Sequence, residues 1–495
     1  MSLLKKLASE TVMYGVSSIL SRLLHFVILL PYFTTVFKTG EYGIVSDLFV
    51  YAGILMVIYT YRMETAFFRF ASRDGNFEKA FSTGTIAILV TTSVFTLTML
   101  TLLRPISEAL LYPDNLEYIA IVVFIIAFDA LAALPFARLR LENRPVRFAI
   151  IKTLNIVVNI IFVFLFLEII PNFYKNEATR ATSFFTNENR ILFVFVANLI
   201  ASATVLAMLS PMYKKVKWQF DKTLFKKMFR YAAPLIIVGL AAVINQLIAI
   251  PLLKYLLPGT EGENFSQAGI YSAAAKLAVL MNLFTQAFNY AAEPFFFKNA
   301  NRSDFRQVYA NVAQAFTLVG AFAFLVILLY LDVIKLFLGK DFREGLEVIP
   351  ILLMAYLFLG LYYNFSIWYK LTDKTSMGAY ISIGGVIITL AINFSLIPNP
   401  AFGYIGAAWA AFGCYAFMAA AGYLTGQKYH PIPYPIWNIA LYILLAIGGY
   451  WLSEYFATAA EPTLFLKLLF NTLVLLVFLG VIFLLEKKSF QKMLK

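Results

Sequence analysis

About fourteen stretches of roughly 20 or more predominantly apolar residues, each long enough to cross the hydrocarbon core of a bilayer as a helix, take up most of this 495-residue sequence. They fall at 11–37, 43–67, 80–103, 117–137, 148–170, 190–212, 231–257, 268–297, 308–338, 346–369, 376–397, 402–426, 434–456 and 464–485. A backbone in hydrocarbon finds no water, so its N–H and C=O groups must be satisfied within the segment, and helices do this. With 61% hydrophobic and only 14% charged residues, the chain could not cover a soluble surface. The expected fold is therefore an all-α integral membrane protein of about 14 transmembrane helices. Lys5 and Lys6 ahead of the first stretch resemble a signal peptide. That stretch runs on to Phe37 with no small-residue cleavage site, so it reads as an uncleaved first helix.

The formal charge of +13 is spread over short loops between apolar runs, which marks topology and not a nucleic-acid partner. With the N-terminus in the cytoplasm, the inward connections and both tails hold about 26 of the 40 Lys and Arg, against about 7 in the outward loops. The expectation is a multi-pass protein of the bacterial inner membrane with both termini cytoplasmic. The densest inward loops, RLRLENRPVR at 138–147 and YKKVKWQFDKTLFKKMFR at 213–230, read as retention signals. Cys414 is the only cysteine, which excludes an intramolecular disulfide and a thiolate cluster. The only histidines, His25 and His430, are far apart in sequence, so neither a metal nor a cofactor is expected.

The sequence repeats itself. GIVS at 43–46 returns as GIYS at 269–272, an offset of about 226 residues, and ETAFFRFASR (64–73) returns as EPFFFKNANR (293–302). LLKKL (3–7) echoes LFKKM (224–228), and RLENR (140–144) echoes KLTDK (370–374). The spacing covers six helices, so both copies enter from the same side, a parallel repeat about an axis along the membrane normal. The expected organisation is an N-lobe of helices 1–6 (1–212), a C-lobe of helices 7–12 (213–430), and helices 13–14 with a cytoplasmic tail (431–495).

A twelve-helix pseudo-repeat with two added helices resembles the polysaccharide flippases of the MOP superfamily, relatives of the peptidoglycan lipid flippases and the MATE drug exporters. Segments similar to that family's pattern occur in its order: EYGIVS (41–46), RLENRPVRF (140–148), KKMFRYAAPLIIVGL (226–240), AGIYSAAAKLAVLMNLFTQAFNYAAEPFF (268–296), LGKDFREGLEVIPIL (338–352) and FGYIGAAWA (402–410). The resemblance implies a V-shaped, two-lobed transporter with a polar cavity that opens to each side in turn. It implies as substrate a polyprenyl-pyrophosphate-linked oligosaccharide for O-antigen, capsule or exopolysaccharide assembly, with membrane lipids and other polysaccharide-assembly proteins as partners. No catalytic residue carries over, since the family does no covalent chemistry.

Charged side chains inside spans are costly by a few kcal/mol, so those retained are candidates for function. In helix 1, Arg22 and His25 share a polar stripe with Gly15 and Ser18, and Arg22 also has Asp129 of helix 4 at similar depth as a partner. Arg62 in helix 2 suits an inner basic vestibule, because a guanidinium fork binds phosphate oxygens in pairs; snorkelling to the interface is the plainer account. Helix 8 carries Asn282, Gln286 and Asn289 on one face with Lys276 nearby, as sugar-binding amides or as interhelical glue. Lys152, Asn155 and Asn159 in helix 5 extend the polar set. Asp47, Asp129 and Glu293 are candidates for ion coupling or structural pairing. A MATE-like cation exporter would share the fold but want a carboxylate-rich cavity. A membrane-embedded glycosyltransferase or polymerase would want acids or a base at an outward site, and the outward loops are short and acid-poor.

Overall fold

A computed structural model describes residues 23–73, 77–173, 189–299, 304–372, 374 and 376–493. These are mostly helical, with no strand among the described residues, and thirteen helices are long and apolar enough to span a membrane. After a short apolar helix, α1 (Phe26–Val36), they are α2 (Thr39–Ala71), α3 (Phe77–Thr101), α4 (Leu116–Leu141), α5 (Pro145–Asn172), α6 (Arg190–Lys214) and α7 (Lys222–Leu247). Then come α8 (Glu261–Tyr290), α9 (Phe305–Leu329), α10 (Lys340–Leu371), α11 (Ser376–Leu396), α12 (Tyr404–Tyr429), α13 (Ile436–Ala460) and α14 (Leu464–Lys487). Every expected span from the second onward has its helix; of the first, residues 11–22 lie outside the described residues and α1 is its described part.

Boundaries moved where charge, not apolarity, decides them. The seventh span was expected over 231–257, yet α7 begins at Lys222. Asp221 caps it by accepting from the Leu224 N–H at 2.8 Å, which lets the basic KKMFR turns join the helix. It ends at Leu247, and a separate helix, Ala249–Leu256, completes the stretch.

The chain packs as two compact units, one of 1–254 with 261–269, the other of 255–260 with 270–495. These units are defined by packing, whereas the expected six-helix lobes follow sequence register; the two partitions differ over α7, which packs on α2 and α3, over the helix that follows it as far as Lys254, and over the first turns of α8. In a bilayer, burial from water does not drive helices together, so close contact and buried polar bonds carry the association. In the first unit the node is Arg138 of α4, 2% exposed, whose guanidinium donates to Glu78 of α3 at 2.6 and 3.1 Å and to Glu142 at 2.7 Å. It also lies over the rings of Phe77 and Phe81 at 4.9 and 4.5 Å. Around it packs an apolar cluster including Phe67, Phe81, Leu134, Leu139, Leu209 and Met228.

In the second unit α12 is rich in alanine and glycine, so α10 and α11 approach closely, with Trp368 seated over Gly426. The appended helices are tied to α9. Asn471 of α14 donates to the Leu329 carbonyl at 2.5 Å and accepts from Ser453 of α13 at 2.5 Å, and Lys467 pairs with Asp332 at 2.8 Å. Farther along, Gln314 of α9 donates to the Tyr442 hydroxyl and to Glu486, both at 2.8 Å.

Candidate functional site

Helix α2 is one span in length but not one helix. It breaks at Tyr61 and Arg62, both left-handed with φ 35° and 56°, and resumes at Met63. Two such non-glycine residues in succession carry strain of about 1–3 kcal/mol each, and a break held in place by its surroundings re-aims the side chains beside it. Here the Arg62 guanidinium turns across the face of α7 at Gly239. A Cβ at that position would stand 2.6 Å from Arg62 Nε, so only glycine leaves the room. We expect Gly239→Ala to displace Arg62 with little loss of stability, since a flexible side chain end can shift. If Arg62 meets the substrate, transport should fall several-fold; unchanged transport in Gly239→Ala would show that the position of Arg62 is immaterial.

Arg62 is one wall of a cavity of about 410 Å³ lined by α2, α4, α5 and α6. Its charged lining comprises Arg62 and Glu64 of α2, Asp129 and Arg140 of α4 and Lys152 of α5, with Asn155 beside Lys152. Asp129 stands near the middle of α4 and Arg140 at its end, so the cavity reaches from mid-span to the end of the unit where α4 finishes and α5 begins. Glu64 faces both Arg62, at 3.9 Å, and Arg140. Asp129 accepts from the Ser202 hydroxyl and faces Lys152, whose ammonium lies 4.3 Å above the Phe136 ring. Among the described residues, three cations against two carboxylates leave an excess of positive charge in a space whose remaining walls are mostly apolar. The carboxylates hold the cations apart, and Arg62, 35% exposed, keeps donors free for a ligand.

At the other end of the same unit α2 and α8 touch. Gly43 of α2 and Gly269 of α8, the matched glycines of the repeat, meet backbone to backbone: a Cβ on Gly43 would overlap the Phe265 carbonyl and one on Gly269 the Thr39 carbonyl. Thr39 and Ser266 share a hydrogen bond of 2.6 Å beside them. Just inside, Lys254 and Asp47 form a fully buried ion pair at 2.6 Å. Tyr112 donates to the same carboxylate oxygen at 2.6 Å, and Lys254 also donates to the Leu110 carbonyl at 3.0 Å.

Of the residues singled out in the sequence, Arg62 and Asp129 share the cavity with Lys152 and Asn155, while Asp47 sits in the buried pair with Lys254. Lys276, Asn282, Gln286 and Asn289 belong to the second unit and do not line this cavity. There Asn282 is buried and accepts from Gln286 at 3.1 Å, one helical turn along. Arg22 and the side chains of His25 and Glu293 lie outside the described residues. Sequence reading missed Lys254, a lone charge in PLLKYLL that reads as a residue snorkelling from a span end. It also took the 138–147 loop only for a retention signal, whereas Arg138 is a buried tie and Arg140 a cavity wall.

The comparisons with known proteins agree with this architecture. Residues 7–300 match the sequence profile of a family described as polysaccharide biosynthesis protein. Among solved structures, the lipid II flippase MurJ in an inward closed conformation superposes with a TM-score of 0.73 at 14% identity, covering 95% of this chain and 99% of its own. An inward-facing multidrug resistance transporter of the MATE family, MOP superfamily, gives 0.64 at 14% identity, covering 83% and 97%. A point mutant of the Vibrio cholerae MATE transporter VcmN gives 0.58 at 14%, covering 86% and 97%. At such identities the likeness is one of fold. No curated protein matches by sequence.

Proposed function

The chain belongs to the polysaccharide biosynthesis protein family, and from that premise we propose that it is a flippase carrying polyprenyl-pyrophosphate-linked oligosaccharide across the bacterial inner membrane for surface polysaccharide assembly. The observation that carries the reading is the sign of the cavity. A pyrophosphate moved through a low-dielectric interior without a partner would cost many kcal/mol, so its path must supply fixed positive charge. Arg62, Arg140 and Lys152 supply it, and the guanidinium forks suit paired phosphate oxygens. A cation exporter needs the opposite excess. The fold match to a structure described as a lipid II flippase supports a lipid-linked cargo. No group is required to make or break a covalent bond, so the protein works by alternating access and not as an enzyme, with the two repeat lobes, 1–212 and 213–430, as its moving parts. Arg22 and His25, and the α8 amides with Lys276, remain assigned to the sugar-lipid path, and Glu293 to ion coupling or pairing.

Deletion in the host should make polyprenyl-linked sugars accumulate on the cytoplasmic face; their normal appearance outside would end the proposal. The orientation has its own test, helped by the buried native Cys414. A cysteine in place of the exposed Gly262 should react with an impermeant thiol reagent in intact cells, and one in place of Lys374 should not. The reverse pattern would invert the topology.

A further inference from the structure

The two densest basic segments use their charges differently. In 138–147, Arg138 is buried between Glu78 and Glu142, Arg144 pairs with Glu142 at 3.2 Å, and Arg140 lines the cavity. In 214–230, Lys214, Lys217, Lys222, Lys226, Lys227 and Arg230 all stand exposed. The only acid among them, Asp221, is engaged by Lys79 at 2.7 Å and by the α7 N-terminus, which hold its carboxyl below the usual range. Aromatic rings are interleaved with these cations and equally exposed: Trp218 at 60%, Phe220 at 47% and Phe229 at 43%. The first turns of α7 bury Leu224, Met228 and Ala232 on one side and turn the cations to the other.

The segment is held rigid for this display. The Lys217 N–H donates to Ser82 Oγ at 3.0 Å and the Asp221 N–H to Thr83 Oγ1 at 3.3 Å, which fixes Trp218 in a left-handed conformation, φ 48°, with its indole outward. A retention signal needs only charge. A strained, exposed tryptophan set among six exposed cations next to a membrane span is what an interface with negative headgroups would use, since the ring settles at headgroup depth while the ammonium groups meet phosphate. We propose that 214–230 is a binding surface for anionic phospholipid headgroups of the adjoining leaflet, located on the connection between the two repeat copies.

The test uses the full-length protein in mixed phosphatidylglycerol and phosphatidylcholine vesicles in which one lipid or the other carries bromine. The Trp218 signal is isolated by subtracting Trp218→Phe. Brominated phosphatidylglycerol should quench it well beyond its share of the bilayer. High salt, or the combined change Lys217→Gln, Lys222→Gln, Lys226→Gln and Lys227→Gln, should lower that enrichment roughly tenfold, whereas inorganic phosphate should not compete at matched ionic strength. If the combined variant does not fold, the salt series on the native protein decides. Quenching in proportion to bulk composition, or by neither lipid, would overturn the proposal: the first means an unselective interface, the second water or a protein partner.

Discussion

Replacing Lys254 by alanine is expected to destabilise the protein by about 3–5 kcal/mol, because it leaves the Asp47 carboxylate buried with only the Tyr112 hydroxyl on one of its oxygens. Asp47 Oδ1 already lacks a hydrogen-bond partner among the described residues, so nothing stands ready to compensate. The double change Asp47→Leu with Lys254→Met should recover most of the loss, since two well-packed apolar side chains replace a buried pair at little net cost. Thermal unfolding of the purified single and double variants measures this. A double variant no more stable than Lys254→Ala would show that the pair contributes packing and not electrostatics.

For transport, the largest effect is expected at Arg62. Charge-assisted hydrogen bonds contribute about 1.5–3 kcal/mol each, so Arg62→Ala should lower export by roughly 10- to 100-fold while the protein still inserts and folds. Arg62→Lys should keep part of the activity, since the charge survives without the paired donors. Lys152→Ala should act in the same direction and less than additively with Arg62→Ala, because both would address one pyrophosphate. Full additivity, or normal export from Arg62→Ala, would remove the cavity from the path.

How far the sequence could be read depends on the range of the interaction involved. The spans were legible because a bilayer demands a length and an apolarity that any window of residues displays. Among the starts of the thirteen long helices the largest shift is that of α7, where Asp221 caps a helix whose first turns, Lys222–Arg230, are too basic to read as part of a span. The cavity was half legible: Arg62, Asp129 and Lys152 stand out as charges inside spans, but their convergence depends on helices α2, α4 and α5 meeting. The left-handed break at Tyr61 and Arg62 left no glycine or proline to announce it. The Asp47–Lys254 pair joins residues 207 apart in sequence, and no local pattern connects them. The repeat did point to the region, for Gly43 and Gly269 are its matched residues and they touch.

The claim that the cavity takes the anionic end of a lipid-linked sugar is tested most directly by equilibrium binding to the purified protein. Polyprenyl pyrophosphate bearing a sugar should bind, and Arg62→Ala should weaken that binding by about 10-fold or more, while an organic cation such as tetraphenylphosphonium should neither bind nor compete. Tight binding of the cation, with the pyrophosphate lipid ignored and Arg62→Ala without effect, would contradict the account and place the protein with the cation exporters whose fold it shares.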